Sequence, residues 1–161
     1  MKKIVSIISI VLFLNFLFVS CTKKSNSTTA STAYCTALVN GITPINFQAA
    51  TTVGTKSTNL ITILATCADY TTIKFTLPLN VSLKNYSAMD SNISITYYDN
   101  NSINSYASGR INCSSGTLSI QTLTANYISG TFSGKLIENA NCNNANGYYT
   151  VSNGKFACSF Q

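Results

Sequence analysis

The chain has 161 residues, with ten lysines and arginines against four acidic residues, a formal net charge of +6. Charged residues make up 9% and histidine is absent, which removes most acid–base, nucleophilic and metal-assisted schemes. With 45% hydrophobic residues, nine tyrosines and eight phenylalanines, the chain can bury a core, and its length suits one domain.

Met1-Lys2-Lys3 is a short basic start. An apolar run follows from Ile4 to Val19, broken only by Ser6, Ser9 and Asn15. This is the layout of a secretory signal peptide, and the run is short of the roughly 20 apolar residues that span a bilayer. It ends in Phe18-Val19-Ser20-Cys21, which resembles a bacterial lipobox. By that resemblance residues 1–20 are the signal peptide, cleavage falls behind Ser20, and Cys21 is acylated as the mature N-terminus. A plain secreted protein is the alternative. Lipid chains contribute about 0.8 kcal/mol per buried methylene, so several on one residue make a stable anchor. Residues 21–34 read as a flexible tether, with Lys23 and Lys24 ahead of a Ser/Thr/Asn stretch that lacks apolar periodicity. Anionic headgroups would attract its lysines modestly. No aspartate follows Cys21, where it would resemble an inner-membrane retention signal. The expected location is therefore the bacterial envelope, at the outer membrane facing the periplasm.

Removing the signal also removes Lys2 and Lys3, and Lys23 and Lys24 lie in the tether. The domain of residues 35–161 keeps six basic residues against four acids, a net +2. These cations are scattered and not interleaved with aromatics, so no nucleic-acid partner is expected.

From Asn40 onward the segments are short, rich in Thr, Ile, Tyr, Val and Phe, and bounded by Asn, Gly or Ser. Asn40-Gly41 signals a turn, and Ile45, Phe47 and Ala49 alternate after it. Leu60–Ala65 is a continuous apolar run whose β-branching favours a strand. Ile73, Phe75 and Leu77 share one face, and Pro78 marks an edge or an end. Tyr86–Asp90 suits a single helical turn. Ile93, Ile95 and Tyr97 alternate before the turn cluster Asp99-Asn100-Asn101-Ser102. Leu118 and Ile120 alternate again. Ile128, Gly130, Phe132, Gly134 and Leu136 fall on one face, and the glycines imply an aromatic or a facing strand packed across them, or else bulges. Asn153-Gly154, between Tyr149–Val151 and Lys155–Phe160, predicts a hairpin. The pattern gives an all-β fold of seven or eight strands: an antiparallel β-sandwich, with a small β-barrel as the alternative.

Asn40-Gly41 with Phe47-Gln48-Ala49, then Tyr127-Ile128-Ser129-Gly130-Thr131-Phe132-Ser133-Gly134, and finally Asn153-Gly154-Lys155-Phe156 together resemble a group of Bacteroidetes, especially flavobacterial, lipoproteins. In that group an N-G-x-x-F-x-A start, an I-S-G-T-F-S-G segment and a closing N-G-x-F strand recur. The resemblance covers about residues 35–161. It implies an all-β domain on a lipid anchor. The group carries no assigned activity, so no functional residue is transferred.

With Cys21 lipidated, Cys35, Cys67, Cys113, Cys142 and Cys158 remain. An exported compartment permits disulfides. An odd number leaves one thiol over. Cys142–Cys158 and Cys35–Cys67 are the expected pairs, with Cys113 a rival for either. No C-x-x-C spacing and no histidine support a metal site, and no cofactor is expected. Asp69, Asp90, Asp99 and Glu138 sit at strand ends and turns, where hydrogen bonding to the turn is their simplest role. Tyr97, Tyr98, Tyr106, Tyr127, Tyr148 and Tyr149 either line a binding face for sugar or protein or roof the sheet edges with hydroxyls in water. Three functions remain: a lipid-anchored, non-catalytic structural or binding module with an envelope protein or glycan as partner; a small-barrel carrier of an apolar ligand; and an envelope hydrolase.

Overall fold

The computed structural model describes residues 32–87, 92–100, 105–108, 114–138 and 148–161. Cys21, Asp90, Cys113 and Cys142, and the whole signal segment, lie outside the described residues. Eleven strands follow one another: β1 (Tyr34–Asn40), β2 (Pro44–Gln48), β3 (Thr51–Lys56), β4 (Leu60–Thr66), β5 (Thr72–Pro78), β6 (Asn85–Ser87), β7 (Ser94–Tyr98), β8 (Ser105–Ala107), β9 (Ser115–Leu123), β10 (Tyr127–Glu138) and β11 (Tyr148–Ser159).

The all-β expectation is borne out, as one antiparallel sheet curled into a half-barrel. The expected count of seven or eight strands is too low. β6 and β8 have three residues each, too few to show alternation. Tyr86 pairs with Leu118 in a strand ladder, so Tyr86 and Ser87 are extended where a helical turn was expected to begin, and the rest of that turn lies outside the described residues.

The main path runs β2-β1-β11-β10-β8-β7-β5-β4-β3, with β9 against β10 and β6 against β9. Its two ends, β2 and β3, are separated in the chain only by Ala49-Ala50. At that bend Ala49 N–H donates to Cys35 O (2.9 Å) and Ala50 N–H to Thr66 O (2.8 Å). The chain thus steps from one edge of the curled sheet to the other. The C-terminus reinforces the seam: Gly54 forms a parallel bridge with Phe160, and Gln161 N–H donates to Gly54 O (3.0 Å).

Asn153-Gly154 does not turn the chain. β11 runs straight through it, and Asn153 takes a left-handed φ of 53°. The registers to β1 and β10 both shift there, between Thr36 and Leu38 and between Phe132 and Gly134. The pair makes a bulge in a long strand, because partners on both sides hold β11 extended beyond it.

The core lies on the concave face. Ile73, Phe75 and Leu77 are fully buried, as are Ile95, Leu118, Ile128, Leu136 and Phe156. Gly130 opposes Phe156, and Phe132 opposes Gly154. A β-carbon at Gly130 would stand 3.0 Å from Phe156 Cε1, and one at Gly154 would stand 2.6 Å from Phe132 Cδ1. Each phenylalanine therefore covers the glycine across from it. Gly134 instead meets the backbone of β9 at Ser115 and Gly116. Phe75 joins the two rings, edge-on to Phe132 (4.7 Å) and stacked on Phe156 (4.9 Å).

Candidate functional site

The strand pairings define two ends of the half-barrel. β1 ends beside the start of β11, β11 starts beside the end of β10, and the end of β7 lies against the start of β5. The 41–43 tip therefore lies at one end, whereas the 68–70 turn lies beside the seam, since Cys67 just before it donates to Gln48 O, opposite Thr36 near the start of β1. The chain enters the domain at the end opposite the 41–43 tip, where β1 begins.

Three tyrosines close the interior at the tip end. Tyr149 lies 4.7 Å from Tyr97 and 4.5 Å from Tyr106, centroid to centroid. Its ring covers Gly41, where a β-carbon would stand 2.7 Å from Tyr149 Cδ1. Tyr97 and Tyr106 are core residues, not members of a surface face or a wet roof. Tyr148 is exposed, with Lys135 Nζ 4.5 Å from its ring centroid. Burial pushes the Tyr97 phenol up to about 12, and neighbouring Tyr149, Asp99, Asp69 and Cys67 push in the same direction. Sequence alternation had already placed Tyr97 with Ile93 and Ile95, which was the sign that it is internal.

Asp69 and Asp99 thus act electrostatically on the same side chain from different loops. Asp69 caps its own turn, its Oδ1 accepting from Thr71 N–H at 3.0 Å, the role its position in the sequence suggests. The adjacent Tyr70 is 75% exposed and held at a φ of 69°, a left-handed conformation that bulky residues seldom take.

Cys35, Cys67 and Cys158 are free thiols. The expected Cys35–Cys67 bridge is not formed, and Cys158, the described half of the expected Cys142–Cys158 bridge, is likewise unpaired. Cys67 donates its thiol to Gln48 O at 3.1 Å instead. Cys158 lies against Gly54, where a β-carbon would stand 2.8 Å from its Sγ. Burial raises all three thiols, Cys158 to about 11, and Cys67 and Cys158 add to the rise at Cys35. These thiols are poor nucleophiles, since only the thiolate reacts. Among the described residues no group of three His, Cys, Asp or Glu could hold a metal ion. The sequence puts Cys35 and Cys67 together as an expected pair but gives no sign that Cys158 joins them, since it lies on a distant strand.

Among the described residues, two open grooves lie on the surface. One, of about 500 Å³, is lined by Thr117, Ser119, Thr131, Ser133, Asn153 and Lys155, with Phe132 and Gly154. The other, of about 390 Å³, runs along β1 and β2 past Leu38, Asn46 and Gln48 and also reaches Asn153. The bulge residue is common to both. Their linings are rich in hydroxyls and amides, which both donate and accept hydrogen bonds.

Fold and site together define an all-β domain with an aromatic interior, a seam of free thiols and outer grooves that mix hydroxyls and amides with apolar surface. No family model matches the chain, and neither a curated protein nor a solved structure shows significant similarity to it.

Proposed function

We propose that this is a lipid-anchored protein of the bacterial cell envelope, acylated at Cys21 and sorted to the outer membrane facing the periplasm. Its β-domain acts by contact, as a structural or binding module for an envelope protein or glycan, and not as an enzyme. The kinship with Bacteroidetes lipoproteins belongs to the same proposal. The observation that carries it is the placement of the domain's surfaces. The tether leads into β1 at one end, while the tip holding Ile42 lies at the other and the grooves open on the side. An anchor at the first end leaves the Ile42 tip and the grooves free for a partner.

The filled aromatic centre speaks against a carrier of apolar ligands, since Phe75, Phe132 and Phe156 occupy that space. The hydrolase alternative retains one supporting observation, the electrostatic action of Asp69 and Asp99 on Tyr97. Asp69, however, already holds its turn.

The anchor is tested by replacing Cys21 with alanine and following radiolabelled palmitate and membrane fractionation. Label and membrane association should both disappear. Unchanged labelling would sink the proposal.

A further inference from the structure

β2 ends the sheet path, and its register fixes what the open edge offers. Ala49 N–H donates to Cys35 O, so Cys35–Ala49 is a hydrogen-bonded pair of the β1–β2 ladder. By alternation Ala37–Phe47 and Val39–Ile45 are hydrogen-bonded pairs too. The main-chain groups of Pro44, Asn46 and Gln48 therefore point away from β1. Pro44 has no N–H, and Gln48 C=O already accepts the Cys67 thiol. The edge is left with Pro44 C=O, Asn46 N–H and C=O, and Gln48 N–H, none with a partner among the described residues. Pro-Ile-Asn-Phe-Gln carries none of the charged side chains that ordinarily blunt an edge, and Ile45 is 39% exposed.

We propose that β2 pairs with β2 of a second copy, antiparallel, across a two-fold axis at Asn46. In this register each Asn46 N–H donates to the Asn46 C=O of the other copy. Each Gln48 N–H donates to the other copy's Pro44 C=O. The leftover groups match as well: Gln48 C=O, already bonded to Cys67, faces a proline that has no N–H. Every open group of the edge finds a partner, which is the self-complementarity a two-fold interface requires. Ile45 comes opposite Phe47 of the second copy. The hairpin carrying Cys67 stands at the Gln48 end and stops the pairing there. The contact is much smaller than a standard interface, so the dimer forms as concentration rises.

The test uses the full chain bearing Asn46→Cys. Hydrogen-bonded antiparallel partners lie about 5.5 Å apart at Cα, within disulfide reach. As the S–S bond forms, two protons and two electrons leave the thiols and pass through copper phenanthroline to dioxygen, which becomes hydrogen peroxide. A covalent dimer is expected on a non-reducing gel, absent from the unsubstituted chain and from Asn153→Cys, and lost when Ile45→Lys is added. In sedimentation, Asn46→Pro should weaken dimerisation by at least about tenfold, because each copy loses a donor. It should leave the fold intact, since this N–H bonds nothing among the described residues. The proposal is overturned by the lack of an Asn46→Cys dimer, by equal crosslinking through Asn153→Cys, or by a dimer that Asn46→Pro leaves unchanged. A chain that stays monomeric yet binds an added extended peptide along β2 overturns it as well, and assigns the edge to a foreign strand.

Discussion

Two aromatic clusters fill the concave side, and they differ in chemistry more than in geometry. Phe75, Phe132 and Phe156 meet at the centre of the sheet, and Tyr97, Tyr106 and Tyr149 meet at the tip end. Both lay rings over glycine: Phe156 over Gly130 and Phe132 over Gly154 in the first, Tyr149 over Gly41 in the second. The phenylalanines are all buried, whereas Tyr149 is only half-buried and Asp69 and Asp99 act electrostatically on Tyr97. One packing device therefore serves in a dry environment and beside water. Only the ring's polar end changes, since a phenol can stay protonated and reach solvent where phenylalanine cannot.

Truncation should separate the clusters most sharply. Phe75→Ala removes the ring that joins Phe132 and Phe156 and should cost about 3–5 kcal/mol in urea unfolding. Tyr149→Ala should cost clearly less, because its ring is part-exposed already. Equal losses would mean that the tyrosines carry as much of the core as the phenylalanines.

A smaller difference should appear at the glycines. Gly130→Ala drives a β-carbon against Phe156 and the Ser119 carbonyl, and overpacking of this kind costs about 1–3 kcal/mol. Gly41→Ala meets only the Tyr149 ring, which can swing toward solvent, so its loss in the same urea titration should be smaller. A larger loss at Gly41 would reverse the comparison.

Alkali should give the mildest contrast. The Tyr97 phenol is raised to about 12 in the folded chain, against about 10 for a free phenol. Above about pH 10 the unfolded chain loses this proton first, so the stabilisation is complete below that pH and is lost as pH rises through about 12. Cys158, raised to about 11, acts in the same direction and begins at lower pH. The urea midpoint should fall across this window, and Tyr97→Phe should flatten the upper part of the fall. An unchanged slope in Tyr97→Phe would remove the tyrosine cluster from the alkaline response.

Strands with clear alternation could be read directly. Ile73, Phe75 and Leu77 are buried on one face of β5, and Leu118 with Ile120 on β9, because a period of two needs only one buried side. The glycine stripe of β10 was also legible: Phe156 covers Gly130, while the register shift after Phe132 comes from the extra residue in β11 and not from a bulge at the glycines. The misreading of Asn153-Gly154 has a specific cause. Asn-Gly favours left-handed backbone, which serves a hairpin turn and a bulge equally. What selected the bulge was pairing of β11 to β1 and β10 on both sides of it. The candidate site was much less legible. Its tyrosines were visible as residue types, but their gathering around Tyr149 depends on β7, β8 and β11 meeting at one end.

The sequence by itself determined an all-β domain, the faces of its longer strands and an N-terminal pattern converging on Cys21. Those features are local: alternation, turn residues and a short apolar run. Only the tertiary structure decided that the sheet curls with Ala49-Ala50 joining its two ends, that Cys35, Cys67 and Cys158 remain thiols at the seam, and that β2 keeps an open edge. Each of these depends on which distant strands pair and in which register, and register is a cooperative outcome of closing the whole sheet.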